Sequence, residues 1–354
     1  MSAERNSERQ AERPLVSVII PTTGNSPHLK ALLERLCQQT FRSDLSANRP
    51  PFEVLLIANI PRQDLRNLMA SIDRTASVKF EYLETGKMGV NLARNKGLER
   101  ATGNVALFLD DDAILEDLIV DAEHFLQAHY EKHLEYPEAI AIGGPYRLVG
   151  ATSRWDLTYH HIAAQWIRMH RRAHNRVEQL LGGNLSFKLD RIRTLSERFD
   201  EAIPYGGAET GICQRLVEHK EELLFFDELV VGHAPGMSRK SLMKKAYLQG
   251  AGAAWRQANL GDARFVGPDT LRPRDPLAKA RGAIRLYDLC FKYGWEKSPF
   301  KSDLVKNSAI SFPVLGFLLF LCRQALAEGL KTWPKSFLRR LYASSRSIWI
   351  SARY

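Results

Sequence analysis

Cysteine is scarce in this sequence: there are four in 354 residues, Cys37, Cys213, Cys290 and Cys322, with no CxxC pair among them. That argues against a cysteine-based zinc site and a disulfide framework, and it suits a reducing compartment. Long apolar runs are missing too. The uncharged stretch 307–322, NSAISFPVLGFLLFLC, has sixteen residues broken by Pro313 and Gly316, against the roughly 20 that span a bilayer. The opening thirteen residues, MSAERNSERQAER, hold no apolar segment and read as a polar, disordered lead-in, not a signal peptide. The expected location is therefore cytoplasmic. Internal repeats, low-complexity tracts, zinc or homeodomain motifs and aromatic RNA-binding motifs are also lacking, so no nucleic-acid partner is expected.

What is present is enough for a sizeable core, with 45% hydrophobic residues and a formal net charge of +10. The excess of positive charge points to anionic partners without choosing among them. Acids are absent from residues 331–354, where six Lys or Arg mix with Trp333, Phe337, Leu341, Tyr342, Ile348 and Trp349. Such a tail suits an anionic membrane surface at its inner face, or equally a helix packed on the main domain with a solvated basic end.

Apolar β-branched runs alternate with amphipathic patterns through the first 115 residues. PLVSVIIPTTGN reads as a strand and turn, and FEVLLIANI and SVKFEYLE as two more strands. Between them, a helix capped by Ser26 with Pro27 at its first position carries Leu29, Leu32, Leu33, Leu36 and Cys37 on one face, and Pro61 opens a second helix. A third runs from about Met88 to Ala101. This alternation predicts an α/β fold with a mostly parallel, Rossmann-like sheet, whose ligands lie beyond the carboxyl ends of the strands. The one break in the pattern is Gly261 to Pro276, which divides a domain over 14–260 from a basic, helical extension over 261–354.

The strand NVALFLDDDAIL runs straight into Asp110, Asp111 and Asp112. Two carboxylates about 4 Å apart repel by roughly 4 kcal/mol at an effective dielectric near 20. A divalent cation removes that repulsion, and Mg²⁺ or Mn²⁺ held by one or two carboxylates leaves positions for water and phosphate. The alternative is a helix starting near Leu115, whose dipole one acid would satisfy. In MGVNLARNKGLERA, Arg94 interrupts the apolar stripe of Val90 and Leu98. It is expected to pair with an aspartate or a phosphate, or to form a structural ion pair. His170 and His174 are four apart but surrounded by arginines, which opposes a metal there.

The segments VSVIIPTTGN, GVNLARNKGLERATGNVALFLDDDAI, LLGGNLSF, FDEAIPYGGAETGICQRL and GHAPGMSRKS stand in the order and spacing of the family 2 glycosyltransferases, which have the GT-A fold. The resemblance runs from about Leu15 to Trp255. It implies inverting transfer of a sugar from a nucleotide-diphosphate donor to a saccharide or glycolipid acceptor, with Mn²⁺ or Mg²⁺ as cofactor. It also implies that Pro21, Thr22, Thr23 and Asn59 lie against the nucleotide, that Asp110 and Asp111 lie near the ribose and donor sugar, and that Arg94 faces the diphosphate. Asp112 and His233 become metal ligands, Gly183 and Asn184 border the donor sugar, and Glu209 is the base. On residue type alone, Glu209 reads first as an N-terminal helix acid and His233 as a surface or core histidine more often than a ligand, and Gly182–Gly183 fits a plain turn before a strand. The sequence departs from the family at Ala58, where an aspartate often reads the base, and at Ala208–Glu209, where the family has a Glu-Asp pair. A nucleotidyltransferase is the alternative enzyme, but no glycine- and lysine-rich triphosphate loop follows the first strand. A noncatalytic basic membrane- or nucleic-acid-binding protein is the alternative outside enzymes.

Overall fold

The computed structural model describes residues 13–42, 45, 51–73, 78–115, 123–150, 153–203, 207, 209–260, 281–296, 317 and 320. The lead-in before Arg13, the Gly261 to Pro276 break, most of the 307–322 stretch and the basic tail lie outside the described residues.

The first half alternates as the periodicity demands: β1 (Val16–Thr22), α1 (Leu29–Leu36), β2 (Phe52–Ala58), α2 (Gln63–Asp73), β3 (Lys79–Glu84), α3 (Val90–Arg100) and β4 (Val105–Leu109). After the aspartates come β5 (Ala113–Ile114), α4 (Phe125–Glu135), β6 (Ala139–Gly143), β7 (Tyr146–Leu148), α5 (Arg154–His170), β8 (Asn184–Lys188) and α6 (Leu189–Thr194). The chain continues through α7 (Thr210–Glu218), β9 (Glu222–Phe225), β10 (Val231–His233), α8 (Arg239–Leu260) and α9 (Arg281–Glu296).

Seven strands form the main sheet in the order β3-β2-β1-β4-β8-β6-β9, all parallel except β8, which runs against both neighbours. Every residue of β1, β2 and β4 is buried, as expected of strands covered on both faces. Side chains alternate between two cores. Val18, Ile20, Leu56 and Leu107 face α1 and α2, whereas Ile19, Leu55, Phe108 and Phe187 face α3 and α7. A third cluster joins α5, α8 and α9 through Ile162, Leu242, Tyr247, Leu248, Cys290 and Phe291.

Two local expectations are corrected. Helix α1 begins at Leu29, two residues late, because the Ser26 hydroxyl closes a turn by accepting the His28 N–H (3.2 Å) instead of capping the helix. Cys37 ends that helix and is exposed, outside its buried leucine face. The aspartates run through a turn into β5. The segment on which a helix beginning near Leu115 would run, residues 116–122, lies outside the described residues. None of the described helices is long and apolar enough to cross a membrane.

Behind β8 lies a buried polar network that the sequence reading does not anticipate. His129 bridges Asn184 Oδ1 (3.1 Å) and Ser186 Oγ (3.0 Å), and His133 reaches the same serine (2.9 Å). Burial pushes His129 down to about 4, with the Asn184 hydrogen bond pulling the other way, and holds His133 well below its usual range. An unfolded histidine titrates near 6.5, so between pH 6.5 and 4 the unfolded chain binds more protons than the folded one. This stability is complete above about pH 6.5 and is lost as pH falls towards 4. Denaturant titrations are expected to show His129 alone accounting for a loss of about 2–3 kcal/mol between pH 7.5 and 4.5. That part of the slope should vanish in His129→Gln; an identical slope in the variant would remove the network from this role.

Candidate active site

Parallel pairing in register brings Thr22 opposite Ala58, so the ends of β1 and β2 meet at one edge of the sheet, with Asp110 just past the end of β4. A cleft of about 1090 Å³ opens there. Of the residues singled out from the sequence, Pro21, Thr22, Thr23, Asn59, Arg94, Asp110, Asp111, Asp112, Gly183, Glu209 and His233 all line it.

Asn184 does not. Its amide donates to the carbonyls of Leu229 (2.7 Å) and Pro145 (3.4 Å), its oxygen meets His129, and the side chain is fully buried. Strand alternation is the reason: Gly183 meets the cleft, so the next side chain turns into the core. Asn59 lies at the cleft, but its amide donates to the Gly89 carbonyl (3.1 Å) and ties the end of β2 to the start of α3.

The three aspartates have three different environments. The Thr22 hydroxyl donates to Asp111 (2.5 Å) while accepting the Gly24 N–H (2.8 Å). Burial, opposed by that hydrogen bond and reinforced by the charges of Asp112 and Asp110, still pushes Asp111 up to about 6. Burial also works against ionisation of Asp112, but His233 and then Lys245 outweigh it and hold its carboxyl below the usual carboxylate range. Asp110 receives Arg94 (3.3 Å) on one oxygen and the Tyr146 hydroxyl (3.3 Å) on the other.

His233 reaches this cluster through the small second sheet, ordered β5-β10-β7. Antiparallel pairing sets His233 opposite Ala113, which places its Nε2 3.4 Å from Asp112 Oδ2. The ring stacks on Tyr146 at 4.5 Å. Single ligand atoms of Asp110, Asp112 and His233 lie within 4.8 Å of one another, and the buried Asp112 Oδ1 and His233 Nδ1 have no hydrogen-bond partner among the described residues. Two carboxylates, one of them with an unsatisfied buried oxygen, and one imidazole form a donor set that fits Mn²⁺ or Mg²⁺.

Arg94 is only 3% exposed and joins the two halves of the site. One guanidinium nitrogen meets Asp110, another lies 3.7 Å from Glu209, and the group stands over the Phe199 ring at 5.4 Å. Its neighbours on α3 hold the segment that leads to Glu209. Asn91 donates to the carbonyls of Asp200 (2.8 Å) and Ile203 (3.0 Å), and Asn95 donates to that of Phe199 (2.9 Å). From the other side, Arg256 on α8 donates to the Gly207 carbonyl (3.0 Å). Glu209 occupies the N-cap of α7 but makes no capping bond with its side chain, which is 19% exposed. Arg215, six residues on, turns away to Glu197 (2.7 Å) and Asp200 (2.8 Å).

The glycine pair leaves room for these groups. A Cβ on Gly182 would lie 2.6 Å from an Arg94 nitrogen, and one on Gly183 would lie 2.2 Å from Asp110 Oδ2. Tyr146, Tyr159, Lys245, Arg256 and Tyr287 line the same cleft and were not anticipated from the sequence. Only the repeated Lys and Arg of RKSLMKK hinted at a cationic wall.

An open α/β sheet places its ligand site beyond the carboxyl ends of its strands, where this acidic, histidine-bearing cleft lies. Residues 17–202 match the family described as Glycosyl transferase family 2, and the chain belongs to it. It is similar to the poly(ribitol-phosphate) beta-N-acetylglucosaminyltransferase TarS of Staphylococcus aureus, 29% identical over 115 residues, which are 32% of this chain and 19% of that protein. A second relative is the putative teichuronic acid biosynthesis glycosyltransferase TuaG of Bacillus subtilis, 30% identical over 101 residues, 28% of this chain and 36% of that one. The chain thus spans about a fifth of TarS and about a third of TuaG. In fold it resembles the mannosyltransferase PcManGT from Pyrobaculum calidifontis, solved in complex with GDP-Man and Mn²⁺. That likeness has a TM-score of 0.51 at 16% identity and covers 94% of this chain and 86% of that one. The fold is GT-A.

Proposed function

We propose that this protein transfers a sugar from a nucleotide-diphosphate donor to a hydroxyl of a saccharide or glycolipid acceptor, in one displacement with inversion. The observation that carries the reading is the meeting of Asp110, Asp112, His233, Arg94 and Glu209 in one cleft, with Arg94 within 3.7 Å of both carboxylate groups it touches. The GDP-Man and Mn²⁺ bound by the similar mannosyltransferase support it.

Asp110, Asp112 and His233 would hold the divalent cation, which supplies positive charge to a diphosphate when bound. Pro21, Thr22 and Thr23 at the end of β1 give the nucleotide its wall, and Thr22 keeps Asp111 oriented at the ribose and donor sugar. Gly183 brings bare backbone up to the donor sugar, while Gly182 makes room for Arg94. Glu209 accepts the proton of the acceptor hydroxyl as that oxygen attacks the anomeric carbon. Arg94 keeps Glu209 beside the donor and adds to the positive field at the diphosphate. A diphosphate held this way leaves without a proton donor, so one carboxylate base is enough.

The reading is tested by incubating the protein with UDP-, GDP- and dTDP-sugars and Mn²⁺ and measuring release of nucleoside diphosphate. Absence of both release and donor binding across the panel would sink it. Gly183→Ala gives a finer test, because its methyl group displaces the Asp110 carboxylate. Misplacing a ligand-bearing group by about 1 Å costs on the order of 100-fold, so Mn²⁺-dependent nucleotide binding should fall by at least about tenfold in calorimetry with the thermal melt retained. Unchanged binding would separate Asp110 from the donor.

A further inference from the structure

The cleft has a wall that lies beyond the residues matched to the family. Helix α8 follows the matched segment and sends Lys245, half-buried, into the same cleft as the aspartates. Its Nζ stands 3.8 Å from the centroid of the Tyr159 ring. Tyr159 tilts against His233 at 5.8 Å, His233 stacks on Tyr146 at 4.5 Å, and the Tyr146 hydroxyl donates to Asp110. The ammonium therefore occupies one end of a pile of three rings whose other end is the acid cluster. Its charge contributes to the field at Asp112.

A ring face holds an ammonium through its quadrupole, whereas a phosphate oxygen offers a full negative charge and a charge-assisted hydrogen bond. A lysine whose ammonium stands on a ring at the wall of a cleft is thus placed to meet an anion that enters. We infer that Lys245 is a second cation for the donor's diphosphate, binding the phosphate that leaves. This inference rests on the donor reading given above and names a residue that reading does not use.

In the transfer step the acceptor oxygen forms its bond to the anomeric carbon as the bond from that carbon to the β-phosphate oxygen breaks. The electron pair stays on the phosphate oxygen, and the acceptor's proton passes to Glu209. The leaving diphosphate gains a negative charge, which the Lys245 ammonium meets while keeping its own protons. The contribution is to binding of the β-phosphate and to its departure, and a nucleoside monophosphate lacks that group.

Calorimetry on the full chain with UDP, GDP, UMP and GMP, in EDTA and again in Mn²⁺, tests the assignment. For the base that the wild type binds, Lys245→Ala should weaken the diphosphate about tenfold in both conditions and the monophosphate by less than about twofold. Lys245→Arg should keep most of the diphosphate affinity. If Lys245→Ala melts early, Lys245→Gln is read in its place. Unchanged diphosphate affinity, or equal weakening of mono- and diphosphate, overturns the assignment and leaves the donor reading standing. A wild type that binds none of the four overturns the donor reading and this inference with it.

Discussion

Glu209→Gln is expected to lower turnover by about three orders of magnitude while donor binding stays within about twofold of the wild type, since general-base catalysis contributes roughly 10²- to 10⁴-fold. The amide keeps the size and shape of the carboxylate but cannot take the acceptor's proton. Three structural facts make the variant clean. Glu209 makes no helix-capping hydrogen bond that Gln would lose. Its neighbour Arg94 keeps its bond to Asp110. The segment before it is held by Asn91, Asn95 and Arg256 through hydrogen bonds to backbone carbonyls, which the substitution leaves in place. The measurement is nucleoside-diphosphate release under saturating donor, with donor affinity followed by calorimetry and folding by thermal melt. A variant with wild-type turnover would remove Glu209 from the chemistry. One that lost donor binding in step with turnover would make it a donor contact instead.

Asp112→Asn should have the largest effect on binding. Asp112 is the carboxylate that faces His233 at 3.4 Å and carries a buried oxygen with no hydrogen-bond partner among the described residues. At the proposed metal site, removing its charge would leave the cation with Asp110 and His233 alone. Even outer-shell changes at metal sites cost about 10- to 100-fold, so loss of a direct ligand should weaken Mn²⁺-dependent nucleotide binding by about 100-fold or more. Thermal melting provides an independent readout. Ligand present at about 100 times its dissociation constant stabilises a folded protein by about 2.7 kcal/mol, a shift the wild type should show with Mn²⁺ and UDP or GDP together and Asp112→Asn should not. An equal shift in both proteins would place the cation elsewhere.

Much of this site was legible because it is written locally. The acid triplet follows a buried strand of an alternating strand-helix pattern, and the ends of the parallel strands so formed fall together at the sheet's carboxyl edge. Arg94 broke an apolar stripe of α3, and a buried arginine needs anions, which the structure supplies as Asp110 and Glu209. Glu209 was the only carboxylate in GGAETGICQRL. Asn184 shows where local reading fails, because a single residue of strand phase decides whether a side chain meets the cleft or the core. Its polar amide suggested a sugar contact; its position opposite His129 made it part of the core network.

By itself, then, the sequence determined the order of strands and helices through β4, the acid cluster at the end of that strand and the presence of a buried arginine beside it, because hydrophobic period and charge burial act over a few residues. Only the tertiary structure decided that His233 stands beside Asp112, that Arg94 links Asp110 to Glu209, and that Tyr146, Tyr159, Lys245 and Arg256 complete the cleft. Those relations join elements separated by as much as some 150 residues, and they depend on strand register and on how α8 packs against α5 and α9. Register and packing come from the sum of many weak contacts across the fold, and no short stretch of sequence carries that sum.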